Sequence, residues 1–358
     1  MSFYSKNKKK VNLFIKAFLI TLVSSSAVVV AVLAVVLFRN IQQPPEIPQM
    51  PLADVGLNFP SQSGEEDEDL AINSGMIAPE RFTQDDRRDL FFTFLIIGLN
   101  EGTNANTVMV ASYDWANQEA HLVSIPRDSL INTNRNIRKL SGGYINGALH
   151  GRGVAGGVAQ MQREVMSVIG FVPDFYVVIN YNAFYQIIDS VGGIMVDVPI
   201  RMRYDDPLQN LHIDIHPGLQ SMDGRTALHF ARYRNSNPGF QAITDYQRIE
   251  NQQIIVNAVL ENLLRPANIL RIPEFIDIFN ENVYTNLTTI NMLQFANQLN
   301  EIRGTDSLTS HTVPTLGTSG YPMWYEILDA EGIVELVNRT INPYEKDIEL
   351  GDLDIIVR

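Results

Sequence analysis

Four arginines fall where the chain changes direction, and guanidinium groups gathered at such places can grip phosphate. Arg127 follows Ser124-Ile125-Pro126 at the end of an apolar run. Proline cannot donate to a strand ladder, so the chain turns away from the sheet there and leaves the guanidinium at an edge or crevice. Arg232 and Arg234 stand two apart in Phe230-Ala231-Arg232-Tyr233-Arg234. Read as a strand, this segment puts both cations on one face, where they repel unless an anion joins them. Arg248 lies near the start of a long helical pattern, where backbone N–H groups and the helix dipole already favour a negative ligand. Planar guanidinium groups hold phosphate or pyrophosphate in a bidentate manner. The same spacing serves ordinary salt bridges to carboxylates such as Asp128 and Asp245 equally well.

The elements that must position these arginines alternate in type. Three short β-rich segments (90–99, 108–113 and 121–125) are separated by polar turns. Residues 154–169 have helical spacing, with Met161, Val165 and Val168 on one side. A strand over 175–179, a helix over 183–191, the Gly192-Gly193 break and a strand over 194–198 follow. The longest helix outside the N-terminal region is expected over 244–264, opened by a Thr244-x-x-Gln247 capping box. Residues 266–358 read as further helices and short strands, with Trp324 and Tyr325 in a loop or turn. Strands alternating with helices define an α/β fold whose sheet is covered on its faces.

Composition narrows the function. The chain has 358 residues, 45% hydrophobic and 19% charged, a balance that supports a folded core. A net charge of −13 offers no basic surface for a nucleic-acid backbone. The absence of cysteine removes disulfides, thiolate metal sites and a thiol nucleophile together. Six histidines accompany no Gly-x-Ser-x-Gly elbow, which argues against a Ser-His-Asp hydrolase.

The charge is unevenly spread. Residues 1–39 hold six of the 27 basic residues and no acidic one, which leaves 21 basic against 40 acidic residues in the remainder. Residues 17–38 are 22 consecutive uncharged, mostly aliphatic residues, long enough to span a bilayer as a helix. The preceding lysines (residues 1–16, a basic tail) predict a cytoplasmic N-terminus and a single-pass protein of the cell membrane, with the rest extracytoplasmic. A cleaved signal peptide is the rival reading, although its apolar region is normally shorter. Residues 39–88, with Pro44, Pro45, Pro48, Pro51 and Pro60 and an acidic run from Glu65 to Asp69, read as an extended linker. The folded domain is expected from residue 89.

These pieces resemble the LytR-CpsA-Psr family of cell-envelope proteins. The matching stretches are Ile97-Gly98-Leu99, 107–110, Ser-Ile-Pro-Arg-Asp at 124–128 and Ile145-Asn146-Gly147-Ala148. Asp189 to Pro199, Met222 to Arg234 and Asp245 to Gln253 complete the series. The resemblance covers 89–265, with 266–358 as an extension of the same domain. It implies a central mixed sheet flanked by helices around a long apolar pocket that holds a polyprenyl (pyro)phosphate. It further implies a phosphotransferase that moves a phosphoglycan from that carrier to peptidoglycan or another wall acceptor, usually with Mg²⁺. By position, Arg127, Arg232, Arg234 and Arg248 would bind the pyrophosphate, Arg127 and Asp245 would be catalytic, and Val165 and Ile255 would line the lipid pocket.

The chain also departs from the family pattern. Where the family has Gly-x-Asp followed by Arg-x-Asp-Thr, this sequence has Gly98-Leu99-Asn100 and Asn104-Ala105-Asn106-Thr107. An asparagine oxygen carries no charge for Mg²⁺ and cannot act as a general base. Glu101 is the adjacent carboxylate. Tyr144 stands where a lysine is common, and Asn251 where a second helix arginine is. The alternative to the transferase is therefore a non-catalytic relative that binds polyprenyl phosphate or serves as a scaffold with a degenerate metal loop.

Overall fold

Phe91–Leu99 is apolar at nearly every position because it is buried on both faces, and it becomes the parallel partner of another buried strand. In the computed structural model, which describes residues 40–47, 81–100, 104–263, 265, 268, 271–299, 308–319 and 323–356, this strand is β1. It is followed by β2 (Ala105–Asp114), β3 (Glu119–Ser124), α1 (Gly153–Ile169), β4 (Phe175–Ile179) and α2 (Tyr181–Ser190). Then come β5 (Ile194–Val198), β6 (Met202–Asp206), β7 (Leu211–Ile215), β8 (Gly218–Met222), α3 (Gly224–Arg232) and α4 (Asp245–Leu263). The chain continues through α5 (Ile272–Asn282), β9 (Tyr284–Thr285), α6 (Thr289–Leu299), β10 (Leu308–Thr312), β11 (Thr315–Ser319), β12 (Tyr325–Leu328) and α7 (Ala330–Thr340).

The main sheet is mixed and six-stranded, in the order β10-β3-β2-β1-β4-β9. β1 pairs antiparallel with β2 and parallel with β4, and β3 pairs parallel with β10. Residues beyond 266 thus supply both outer strands. One sheet face carries Leu95, Ile97, Val108 and Val110 into a core closed by Met161, Val165 and Val168 of α1 and Leu336 and Val337 of α7. A second core packs the β5–β8 and β6–β7 ribbons against α2, α3 and α4.

Along the opposite sheet face, Phe92, Tyr113 and Phe175 form an aromatic cluster with Phe94, Trp115 and Phe295. The next inward positions of β1, Ile96 and Gly98, border a cavity.

Two segments read as linker belong to the folded body. Phe82 stacks on Tyr344 with centroids 4.3 Å apart, and Arg87 donates to the buried Asp174 at 2.9 Å. The reason is that a lone apolar residue within a charged run finds a pocket while its neighbours find partners. Residues 40–47 also pack on the domain: Gln294 Nε2 donates to the Asn40 carbonyl at 3.0 Å, and Ile47 lies against the aromatic cluster. Among the described residues no helix is long and apolar enough to cross a membrane; the run 17–38 lies outside them.

The segment read as a strand around Arg232 and Arg234 is instead the end of α3, at Arg232, and the start of the loop after it. Asp223 caps that helix by accepting from the Thr226 N–H, and Ala227, Leu228, Phe230 and Ala231 are buried at helical spacing. Of the two residues read as loop or turn, Trp324 lies outside the strands, whereas Tyr325 opens β12. The capping box of α4 forms in both directions, with the Thr244 N–H donating to Gln247 Oε1 at 3.0 Å and the Gln247 N–H to Thr244 Oγ1 at 3.2 Å.

Candidate anion and lipid site

The site grows from three chain breaks. β3 ends at Ser124, and Pro126 sends the chain off the sheet with Arg127 behind it. α3 ends at Arg232, releasing Arg234 into the following loop. α4 begins at Asp245 and carries Arg248 on its first turn.

All three ends converge on Asp245. Arg248 Nη2 donates to Asp245 Oδ2 at 3.0 Å, Arg234 Nε lies 3.8 Å from Oδ1, and Arg127 Nη2 lies 3.9 Å from the same oxygen. Three guanidinium groups therefore share one carboxylate, and the surplus positive charge faces the cavity. Arg248 is 6% exposed. Burial, and then the neighbouring Arg127 charge, draw its pKa down to about 10, while Asp245 opposes them. It remains charged at neutral pH, and a phosphate joining the cluster would restore its proton affinity.

Arg232 reaches the cavity from a different side. Its guanidinium sits 4.7 Å over the Tyr181 ring, and Nη2 donates to Gln209 Oε1 at 3.2 Å. A short ribbon turn and the start of α2 thus hold it against the cavity, whereas a shared strand face with Arg234 would have tied the two together. Sequence spacing could not find Tyr181 or Gln209, because both meet Arg232 only through the fold.

The cavity has a volume of about 490 Å³ and is bordered by Arg127, Arg232, Arg234 and Arg248. Its remaining wall is largely apolar, with Ile96, Met109, Ile179, Phe184, Leu211 and Ile255. The size falls in the ordinary range for small-molecule sites. Ile255, from α4, lines it. Val165 does not: it is fully buried on the opposite sheet face, among the core residues of α1.

Asn106 owes its position to a bulge. Gly98 pairs with Thr107 and Leu99 with Ala105, so Asn106 is an extra residue in β2. Gly98 is needed opposite, because a Cβ there would meet the Thr107 Cβ at 2.9 Å. Arg127 Nη1 donates to Asn106 Oδ1 at 3.0 Å. Asn100 Oδ1 accepts from the Asn104 N–H at 2.9 Å, closing its own turn.

These contacts test the expected Mg²⁺. One asparagine oxygen is taken by a cation and the other by backbone, no carboxylate lines the cavity among the described residues, and no group of three metal-binding side chains occurs among them. The donor set that the described residues offer does not fit Mg²⁺. Glu101 lies outside the described residues.

A carboxyl that the sequence did not single out stands beside the cluster. The Glu326 N–H donates to the Asp128 carbonyl, and burial, followed by the charges of Asp245 and Asp128, raises the Glu326 pKa against the opposing Thr315 hydrogen bond. Asp128 itself pairs with Lys139 at 3.0 Å.

Fold and site together define an α/β protein with a cationic cluster at the edge of an apolar cavity. The chain belongs to the LytR_cpsA_psr family, whose model matches residues 61–342. It is 24% identical over 230 residues to Biofilm regulatory protein A of Streptococcus mutans, a match covering 59% of this chain and 55% of that one. It is 26% identical over 207 residues to the polyisoprenyl-teichoic acid–peptidoglycan teichoic acid transferase TagV of Bacillus subtilis, covering 55% of this chain and 50% of the relative. The chain thus spans about half the length of these relatives. The crystal structure of B. subtilis TagV superposes with a TM-score of 0.57 at 22% identity, covering 70% of this chain and 96% of that one.

Proposed function

We propose that this protein binds a polyprenyl-pyrophosphate-linked glycan and transfers the phosphoglycan to peptidoglycan or another wall acceptor, while anchored in the cell membrane by residues 17–38. The observation that carries this reading is the convergence of Arg127, Arg234 and Arg248 on Asp245 at the border of an apolar cavity. A diphosphate supplies the anion that such a cluster lacks, and a prenyl chain suits the wall beside it. Family membership and the activity for which B. subtilis TagV is named point the same way.

In the transfer, an acceptor hydroxyl oxygen attacks the sugar-side phosphorus. The bond from that phosphorus to the bridging oxygen breaks, prenyl monophosphate departs, and the hydroxyl proton goes to the departing phosphate. Arginines already assembled around the diphosphate stabilise the charge on the bridging and equatorial oxygens without reorganising. No step is assigned to Mg²⁺.

The state of the two asparagines favours a second reading, in which the protein binds the carrier without transferring. Both the Asn106 and Asn100 oxygens are engaged by the chain itself. Incubating the purified full chain with a lipid-linked phosphoglycan and peptidoglycan separates the two. Label appearing in peptidoglycan, and lost in Arg127→Ala, supports transfer; lipid retained on the protein with no label moved supports binding alone. Neither lipid retention nor transfer would defeat both.

A further inference from the structure

We infer that the sheet end bearing Ile47, Trp115 and helix α6 rests on the lipid bilayer, holding the arginine cluster at a fixed height above it. This rests on the anchored reading given above. The apolar run 17–38 ends two residues before Asn40, which is within ~7 Å even for extended chain. Asn40 is itself fixed to the domain, since its carbonyl accepts from Gln294 of α6 at 3.0 Å. Pro45 is buried and Ile47 packs against the aromatic cluster, so the contact continues along the segment. A chain leaving the bilayer at Phe38 therefore meets the domain at once, and α6 must lie at headgroup level.

The chemistry of that surface agrees. The chain carries a net charge of −13, yet from Val283 to Leu299 it has no charged residue. Glu46 on the docked segment and Asp89 and Glu119 at the neighbouring strand ends are exposed, so it is the uncharged α6, and not these strand ends, that would meet anionic headgroups. Ile290 is 44% exposed and lies one helical turn before Gln294, on the same side of α6 as the docked segment.

The sheet then sets the height. Phe92 of β1 belongs to the aromatic cluster beside Ile47, and Gly98 of the same strand borders the cavity with Arg127. They are six residue steps apart along the strand, or ~20 Å. Leu316, 63% exposed on β11, sits at the far end, where β10 has just paired Thr312 with Ser124.

The natural chain has no cysteine, so single labelling sites are readily made. Ile290→Cys and Leu316→Cys variants of the full chain, each carrying bimane, are placed in discs of phosphatidylglycerol and phosphatidylethanolamine with a headgroup nitroxide lipid. The expected result is loss of fluorescence at 290 and none at 316. Adding Pro45→Asp with Ile47→Asp to the 290 variant should restore its fluorescence. Equal quenching at both positions, quenching at 316 alone, or quenching at 290 that survives the double substitution overturns the inference. Fluorescence at 290 that responds to protein concentration and not to nitroxide assigns the face to a second copy of the chain and also overturns it. A chain that fails to co-elute with the discs defeats the anchored reading itself, whereas one that co-elutes with neither site quenched defeats only the docking.

Discussion

Arg127 spends one of its donors on Asn106, 3.0 Å away, where the family pattern would place a carboxylate. A neutral acceptor orients the guanidinium without cancelling its charge, so the full cation stays available to an anion in the cavity. The wild-type protein should therefore bind Mg²⁺ poorly. Asn100→Asp with Asn106→Asp should raise Mg²⁺ affinity by roughly tenfold or more, because two added charges near a divalent ion outweigh their mutual repulsion once it is bound. Asn106→Asp alone should gain much less, its new carboxylate being captured by Arg127. Isothermal titration calorimetry of the three proteins checks the order. Tight Mg²⁺ binding by wild type, unchanged in Asn100→Ala and Asn106→Ala, would place the metal elsewhere.

Arg127→Ala and Arg248→Ala should each weaken binding of a polyprenyl diphosphate by about tenfold or more, since a charge-assisted hydrogen bond is worth ~1.5–3 kcal/mol. Far-ultraviolet circular dichroism should remain that of the wild type. Arg232→Ala should weaken it too, as the only one of the four held by Tyr181 and Gln209 instead of Asp245. Unchanged affinity in all three would reduce these arginines to surface salt bridges.

Replacing the shared carboxylate separates folding from binding. Asp245→Ala leaves Arg127, Arg234 and Arg248 repelling one another, so the melting temperature should drop. Inorganic pyrophosphate should then raise the melting temperature of the variant by more than it raises that of wild type, because the ligand supplies the missing counter-charge. An equal or smaller ligand-induced shift would contradict the account of the cluster.

Two histidines give a pH dependence with a definite sign. His121 and His311 face each other across β3 and β10, ring centroids 5.8 Å apart. Burial lowers both pKa values first; Arg339 lowers both further, His121 also lowers that of His311, and Glu119 and Asp114 partly offset the effect at His121. With folded pKa values below the unfolded one of about 6.5, their contribution is complete above that pH and is lost as pH falls through the folded values. The melting temperature should decline from neutral pH toward pH 5, and less steeply in His311→Asn. Parallel profiles for the two proteins would refute it.

The two candidate lipid-wall residues should behave differently. Val165→Ala removes buried core methyl groups and should cost about 1–3 kcal/mol of stability in urea denaturation without altering lipid affinity. Ile255→Ala should change how diphosphate affinity grows with prenyl length. A matching length dependence in wild type and Ile255→Ala would remove α4 from the tail site.

Regular elements were legible in the sequence wherever burial was periodic. Met161, Val165 and Val168 announced α1, and Thr244 with Gln247 announced the start of α4 with its capping box. Phe230 to Arg234 was not, because five residues satisfy a strand period and a helix period alike, and the deciding signal was the Asp223 cap further upstream. The arginines could be named from their place at chain ends and from the family resemblance, but their partition could not. That Arg127, Arg234 and Arg248 share Asp245 while Arg232 turns to Tyr181 depends on how the β6–β7 ribbon lies against α2. Composition also concealed the roles of Phe82, Pro45 and Ile47, since each is an isolated apolar contact in a polar, proline-rich stretch.

The bulge at Asn106 has a consequence for how such a site changes over time. Because the ladder joins Gly98 to Thr107 and Leu99 to Ala105, residue 106 is not a rung, and nothing across the sheet depends on its side chain. Exchange there between amide and carboxylate leaves the alternation of Val108 and Val110 toward the core intact. The position that decides whether Arg127 faces a neutral or a charged neighbour is thus insulated from foldability, so binding and metal chemistry can drift apart by point substitution while the scaffold is inherited unchanged.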